Sequence, residues 1–376
     1  MRTVLITGSE GFVGKNLRAS LQQRKDVRIL YFDIQNTPSE LESLLEQADF
    51  VYHLAGVNRP QNSEEFASGN TGLTEQICNF LAASGRNVPV AISSSTQAAM
   101  DNPYGTSKRA AEDAVFQYGM ITGADVHVFR LPNVFGKWCR PNYNSGVATF
   151  CHNIAHGIPI QVNDPEVVMS LVYIDDVVRT LLALLDGVSE VRDGFSTVQP
   201  VHVIKLGSIV GLIHSFQVSR EQISVPDMSD PFTKKLYATY LSYLPENGFS
   251  YRLKMNVDDR GSFTEFIKTP DRGQVSVNIS KPGVTKGNHW HHTKNEKFLV
   301  VSGQGVIRFR KVGSNDTVEY SVSGEKLEVV DIPTGYTHNI SNVGSSDLVT
   351  VMWCNEMFDP ENPDTFYESV EQGAVS

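Results

Sequence analysis

Short apolar runs and helical periods alternate along the first half of the chain. Runs at 4–6, 28–32, 50–54, 88–93 and 126–130 predict strands. Between them, 16–23, 41–46, 73–83 and 107–118 carry the helical period and predict helices. Strands and helices in strict alternation predict a Rossmann-type α/β fold, a doubly wound parallel sheet covered by helices on both faces. Around 226–249 the pattern breaks into Pro-, Tyr- and Ser-containing sequence of weak periodicity. Pro245, Asn247 and Gly248 favour a turn there, so the expected division is 1–245 and 246–376. Beyond it, strand-like runs recur with Gly and Asn between them, at 275–279, 297–301, 305–310, 327–331 and 348–353. That pattern predicts an all-β barrel or sandwich. No tandem repeat or low-complexity tract interrupts either half.

A chain of 376 residues is long for one core, which agrees with two domains. Hydrophobic residues make up 40% and charged residues 20%, as in globular proteins, and no apolar run reaches membrane-spanning length. The formal net charge of -10, with no basic block against it, excludes nucleic acid as an expected partner. Cys78, Cys139, Cys151 and Cys354 have no paired spacing and are expected to be reduced thiols. Met1 leads directly into the apolar Val4-Leu5-Ile6, leaving no room for a signal peptide, so the expected location is the cytoplasm.

Chemistry begins at Gly8-Ser-Glu-Gly11-Phe-Val-Gly14, which follows the first strand and opens the first helix. Glycine there lets backbone approach a pyrophosphate, which meets the free N–H groups of the helix terminus. Asp33 ends the second strand, where it is either a ribose-binding carboxylate or a plain loop residue; as the former it favours NADH. Tyr104 and Lys108 lie four apart on one helix face. A cation beside a phenol eases its ionisation and suits proton transfer to a carbonyl oxygen under reduction. Ser93-Ser94-Ser95 ends the strand just upstream, where ligands collect in such sheets.

Residues 1–243 resemble the extended short-chain dehydrogenases/reductases that act on nucleotide sugars. The likeness rests on Thr7-Gly8-x-x-Gly11-Phe12-x-Gly14, His53-Leu54-Ala55, Tyr104-x3-Lys108, Arg130-Leu-Pro-Asn133-Val-Phe-Gly136 and Tyr173-Ile-Asp-Asp-Val177. It implies that Tyr104 is the acid, that Lys108 anchors the nicotinamide ribose, and that Ser95 or Ser94 holds the substrate carbonyl. The implied cofactor contacts are Gly8, Glu10, Gly11, Phe12, Gly14, Asp33, Leu54, Ala55, Gly56, Tyr104 and Lys108. Gly56 departs from the family, which usually has a second Ala there. Asn133, Arg140 and Asn142 fall where the family contacts its nucleotide sugar; Arg140 is the candidate for the phosphates, with a solvated loop arginine as the alternative.

The second half carries His289-x-His291-x4-Glu296 and, further on, His338. Residues two apart on a strand share a face, so His289 and His291 project together, and a hairpin return brings Glu296 and His338 beside them. Three imidazoles and one carboxylate suit one divalent metal, zinc ahead of iron, manganese or nickel. His292 points to the other face and is excluded. This half resembles the cupins, small metal-binding β-barrels, although Leu327 stands where a Gly is expected before Pro333. Asp258-Asp-Arg260-Gly-Ser-Phe-Thr-Glu265 is similar to a segment of the cupin sugar-nucleotide epimerases of the deoxyrhamnose pathway. There an Arg and a Glu hold the sugar nucleotide, which would give Arg260 and Glu265 that role; a tight turn with a surface ion pair is the alternative.

Taken whole, the chain resembles the CapF-type bifunctional capsule-precursor enzymes. That implies a UDP-4-ketosugar substrate, epimerised at C3 by the barrel and reduced at C4 by the first domain to UDP-2-acetamido-2,6-dideoxy-L-talose. It implies NADPH over NADH, against the hint from Asp33, and the expected assembly is a homodimer through the cupin. For the barrel's proton transfer Glu296 is a candidate as ligand, base or both, with Lys254, Lys286 and Tyr336 as further candidates. The competing reading is a simple ketoreductase whose cupin only dimerises or senses a ligand; an iron oxygenase is a third.

Overall fold

The computed structural model describes residues 1–60, 62 and 64–371. It divides into two compact units, Met1–His214 with Met228–Glu246, and Ser215–Asp227 with Asn247–Ser376. The division is therefore not a single cut at the expected turn. Ser215–Asp227 counts with the second unit because Lys268 N–H donates to Ile223 O at 2.9 Å and Arg220 donates to Gly248 O at 2.5 Å.

In the first unit, a seven-stranded sheet runs Val27–Phe32, Arg2–Thr7, Phe50–His53, Val90–Ser95, Val126–Leu131, Phe195–Ser196, Val191–Arg192. All neighbours are parallel except the last pair. The apolar strand residues divide between two cores. Val4, Ile6, Phe50, Tyr52 and Phe129 pack with the helices Phe12–Leu21 and Ile174–Leu185. Leu5, Val51, Val90 and Val128 pack with Pro38–Gln47, Leu73–Ala83 and Pro103–Thr122. Alternate residues of one strand feeding opposite cores is the expected doubly wound architecture.

Helix ends follow local capping chemistry. Thr37 and Glu40 form a capping box, and Asn102 accepts from Gly105 N–H with Pro103 at the first turn. The second cap starts its helix at Pro103 rather than at 107, which puts Tyr104 inside the first turn. The stretch around 226–249, read as a break, contains the helix Pro231–Leu241. Asp230 caps it through Thr233 N–H, and Phe232, Leu236 and Tyr240 bury one face. The prolines that weakened the periodicity mark its start.

The second unit is a cupin-like barrel of two antiparallel sheets. Six strands run Met255–Asp258, Gly261–Thr269, Gly273–Ser280, Leu348–Cys354, Glu296–Ser302, Val329–Ile332. Five run Thr317–Ser323, Gln304–Lys311, Tyr336–Asn342, Thr285–Trp290, Phe366–Tyr367. Phe298, Val300, Ile307, Phe309, Ile340 and Leu348 fill the core. No described helix is long and apolar enough to cross a membrane.

Candidate active site and metal centre

The glycine turn is built so that side chains cannot enter it. Gly8 has φ +69°, and a Cβ there would lie 2.6 Å from Ala55 N. A Cβ on Gly14 would lie 2.1 Å from Gly8 O. Gly11 opens the helix Phe12–Leu21 with no side-chain cap, so its first N–H groups are left for a ligand anion. Asp33 is drawn into this turn, its Oδ2 accepting from Glu10 N–H at 2.7 Å. Glu10 in turn pairs with Arg18, whose guanidinium lies 5.5 Å over the Tyr31 ring.

Leu54 and Ala55 continue the strand Phe50–His53 on the other side of the turn. Beneath them the fully buried His53 bonds Thr7 Oγ1 at 2.7 Å and Thr74 Oγ1 at 2.8 Å. Thr74 donates to Asn70 O at 2.6 Å, so it accepts from His53 Nε2–H. Burial, with the Lys108 charge adding to it, holds this imidazole neutral, its pKa down to about 3. Asn70 accepts from Val57 N–H at 2.9 Å and donates to Ser107 Oγ at 3.0 Å.

Lys108 is buried and donates to Ser93 O at 3.1 Å. Burial lowers its pKa to about 8, with Glu112 opposing. Tyr104 donates to Asn58 Oδ1 at 2.9 Å. Its pKa is raised by burial, and the partner that eases ionisation is Ser95. Lys108 is not among the groups acting on this phenol; desolvation dominates and favours its protonated form. The serines separate by strand alternation. Ser95 faces Tyr104, whereas Ser94 is buried and donates to Glu112 Oε1 at 2.5 Å. Glu112 also takes a bidentate pair from Arg130, so the Ser94 hydroxyl is engaged in a buried network.

Among the other expected contacts, Asn133 is exposed at the start of the strand Asn133–Phe135. Asn142 has φ +55° and donates its N–H to Thr149 Oγ1 at 2.9 Å. Arg140 lies 5.2 Å over the Tyr143 ring, and Arg59 lies 5.7 Å over the same ring. Asn58, Asn70 and Arg59 escaped the sequence reading, because nothing in the local pattern ties them to Tyr104, Ser107 or Tyr143.

In the barrel, His289, His291, Glu296 and His338 bring one ligand atom each to within 4.8 Å of one another. A bulge between Gly287 and His289 sets His289 opposite His338 across the strand pair, with Asn288 at φ +59°. Glu296 Oε2 lies 3.3 Å from His338 Nε2 and 3.6 Å from His291 Nε2, yet none of these buried atoms has a hydrogen-bond partner. Buried polar atoms left unpaired are costly, and here they converge on one point. His289 is pushed down to about 4 by burial, so it is neutral and able to ligate. Burial opposes ionisation of Glu296, but the imidazoles outweigh it and hold its pKa at about 2. This donor set fits a divalent transition metal. His292 turns away and packs against Trp290 and Phe366.

A cavity of about 610 Å³ opens onto His289, Glu296 and His338, lined also by Arg260, Lys286, Asn278, Phe263 and Met352. Arg260 is held by Asp258 at 2.6 Å. Glu265 is absent from the lining and pairs with Lys268 at 2.7 Å. Of the remaining candidates, Lys254 is exposed, Tyr336 packs against the barrel core, and Lys286 lines the cavity.

Residues 4–196 match the NAD dependent epimerase/dehydratase family, and 256–366 match the polysaccharide biosynthesis C-terminal domain. UDP-2-acetamido-2,6-beta-L-arabino-hexul-4-ose reductase of Pseudomonas aeruginosa is 47% identical over 99% of this chain and 100% of its own length. The capsular polysaccharide assembling protein CapF of Staphylococcus aureus superimposes with a TM-score of 0.92 at 54% identity, over 98% of this chain and 99% of that one. The chain belongs to the family of that reductase and of CapF. Membership implies a nicotinamide cofactor. UDP-glucuronic acid 4-epimerase of Bacillus cereus, solved with UDP-glucuronic acid and NAD, shares the fold at 16% identity and a TM-score of 0.52, over 64% of this chain and 98% of that one.

Gly56, the departure from the short-chain reductase pattern, has a local cause. A Cβ there would lie 2.9 Å from Lys108 Nζ and 2.9 Å from Asn70 Oδ1. The ammonium is the mobile end of its side chain, so Gly56→Ala should displace Lys108 without unfolding the protein. We expect an unchanged melting temperature with weaker nicotinamide cofactor binding in a fluorescence titration. Wild-type affinity in the variant would show that Gly56 does not set the lysine's position.

Proposed function

We propose that this protein is a bifunctional nucleotide-sugar enzyme. Its barrel epimerises C3 of UDP-2-acetamido-2,6-dideoxy-4-hexulose, and its first domain reduces the C4 ketone to UDP-2-acetamido-2,6-dideoxy-L-talose. The observation that carries this reading is the whole-length likeness to a UDP-sugar 4-ketone reductase, domain for domain. The domains are taken as 1–245 for the nucleotide cofactor and 246–376 for the metal, with Ser215–Asp227 assigned to the barrel's fold.

For reduction, a nicotinamide held at the Gly8–Gly14 turn would supply the hydride for C4. Ser95 and Tyr104 hold the carbonyl oxygen, and the protonated Tyr104 passes its proton to that oxygen. Lys108 anchors the cofactor ribose and carries the positive charge beside it. Arg140 and Asn142, with Asn133, are the proposed contacts to the nucleotide sugar. For epimerisation, a divalent ion on His289, His291, Glu296 and His338 would supply a Lewis acid for the enolate oxygen. Lys286, held by Asn278 Oδ1 at 2.9 Å and Ile279 O at 2.9 Å, is the barrel's proposed proton-handling group, and Arg260 meets the substrate anion. CapF has been solved with the inhibitor 3-isopropenyl-tropolone, and the two adjacent oxygens of a tropolone suit a divalent ion. Zinc is the proposed metal.

The proposed assembly is a homodimer through the barrel. The strand Met255–Asp258 is an edge, paired on one side only, with Met255 and Val257 exposed. The free thiols agree with a cytoplasmic location. The second reading, a cupin that only dimerises or senses a ligand, differs in one measurable act, exchange of the C3 proton.

Tyr104→Phe should abolish cofactor oxidation while deuterium still enters C3 of the 4-ketosugar. Stripping the metal, or His291→Ala, should stop that exchange. Loss of both activities in a folded Tyr104→Phe variant, or exchange that survives metal removal, would sink the division of labour.

The Lys108 pKa of about 8 gives the reduction an alkaline limb. Reduction needs the ammonium charged and Tyr104 protonated, so kcat/KM should fall as pH rises through about 8. A rate that stays constant into the alkaline range would show that the Lys108 charge is not required.

NADPH is the proposed cofactor. Asp33 repels the extra phosphate, but its carboxylate is tied to Glu10 N–H, and Arg18, paired with the Glu10 side chain, is the proposed compensating cation. Asp33→Ala should raise the NADPH/NADH ratio of kcat/KM, and Arg18→Met should lower it. A wild-type preference for NADH would overturn the assignment.

A further inference from the structure

The last described segment of the chain, 363–370, runs along the metal strand and is bonded to it at every turn. Phe366–Tyr367 pairs antiparallel with Trp290 and His289. Glu368 N–H donates to Asn288 O at 3.0 Å, and Val370 N–H donates to Asn288 Oδ1 at 3.2 Å. From the barrel floor, the buried Arg310 holds the segment's end, through Glu368 Oε1 at 2.7 Å, Ser369 O at 2.6 Å and Val370 O at 3.0 Å. Thr337, next to the ligand His338, donates to Glu368 O.

The contact nearest the ligands is made by Asp364, from both its side chain and its backbone. Its carbonyl accepts from His291 Nδ1 at 2.5 Å, which fixes that proton and leaves Nε2 bare towards the cluster. Its carboxylate accepts from the backbone N–H groups of His292 at 3.0 Å, Thr293 at 2.9 Å and Lys294 at 2.9 Å. Lys294 Nζ closes the turn on Pro363 O at 2.8 Å. The residue has φ +39°, a conformation that Asp tolerates when its side chain is bonded locally. The loop that carries His291 is thus wrapped around one carboxylate, whose own carbonyl orients the ring.

We infer that Asp364 is a positioning residue for the metal centre, clamping the 291–294 turn and setting the tautomer of His291 from the far end of the chain. This rests on the metal reading above. Asn288, bonded to Asn339 Nδ2 at 2.9 Å and to the same segment, is the corresponding support for His289.

Cobalt uptake by the metal-stripped full-length protein tests the inference, read by its visible spectrum and by chelator competition. Asp364→Ala and Asp364→Gly should each weaken cobalt binding by about 10–100-fold and alter the spectrum. Asp364→Asn, which keeps one acceptor and tolerates the backbone, should fall between them and wild type. Asp359→Ala, in the same C-terminal region but capping only its own turn, should bind as wild type does. Melting of the metal-free proteins checks that all four variants fold. Gly is the decisive variant, because it accepts the positive φ but lacks the carboxylate. Wild-type affinity and spectrum in both Asp364→Gly and Asp364→Ala overturn the inference alone. Wild-type protein that takes up no cobalt overturns the metal reading, and this inference with it.

Discussion

Burial of polar groups away from water is the constraint on which this structure depends. A buried donor or acceptor must find a partner, or its desolvation goes uncompensated. In the first unit the rule is met almost throughout. His53 is satisfied by two threonines, Glu112 by Ser94 and Arg130, and Asp176 by Lys235 at 2.6 Å. In the barrel it is broken most densely where His291 Nε2, His338 Nε2 and Glu296 Oε2 converge without hydrogen bonds. A cation there would satisfy the carboxylate and the free imidazole lone pairs together. The strongest physical argument for a metal is therefore what the surrounding protein fails to do.

The same constraint shapes the reductase site. Lys108 is buried and donates to Ser93 O, and burial works against its charge. Tyr104 is pushed the other way, towards the neutral phenol. Each shift runs against ionisation, as desolvation requires. For a reduction this suits the phenol, which is needed with its proton on, and sets a limit on the ammonium, which is needed charged. The side chain at position 56 has to stay small because Lys108 Nζ and Asn70 Oδ1 occupy the space beyond it.

What the sequence made legible was local. The glycine spacing, the Tyr-x3-Lys pair and the His-x-His strand each follow from one element's own periodicity, and the parallel-then-antiparallel plan follows from the order of those periods. What it hid depended on partners far along the chain. Ser94 and Ser95 are equivalent as letters; only Glu112, on another element, takes Ser94 away. Glu265 looked like a sugar-nucleotide contact by motif, but it pairs with Lys268 and is absent from the cavity lining. Asp364 is 73 residues from His291, and no spacing rule links them. The helix Pro231–Leu241 was missed because proline was weighed as a breaker, whereas here it is the first residue.

On the proposed reading, the chemistry of the substrate orders the two steps. A C3 proton is acidic only while C4 is a ketone, since the enolate places its charge on that oxygen. Reduction at C4 removes the activation and cannot be followed by the same epimerisation. The barrel must therefore act first, in a reversible step. The Rossmann domain then consumes one epimer with hydride, an effectively irreversible step at ordinary cofactor ratios, and draws the epimerisation forward. Stereochemical fidelity follows from which ketone Tyr104 and Ser95 can hold, rather than from the barrel's own selectivity. That dependence gives a physical reason for carrying both sites on one chain. The 4-ketosugar that leaves the barrel keeps an acidic C3 and can revert, so a reductase present at a fixed ratio shortens the time in which the new configuration is exposed to loss.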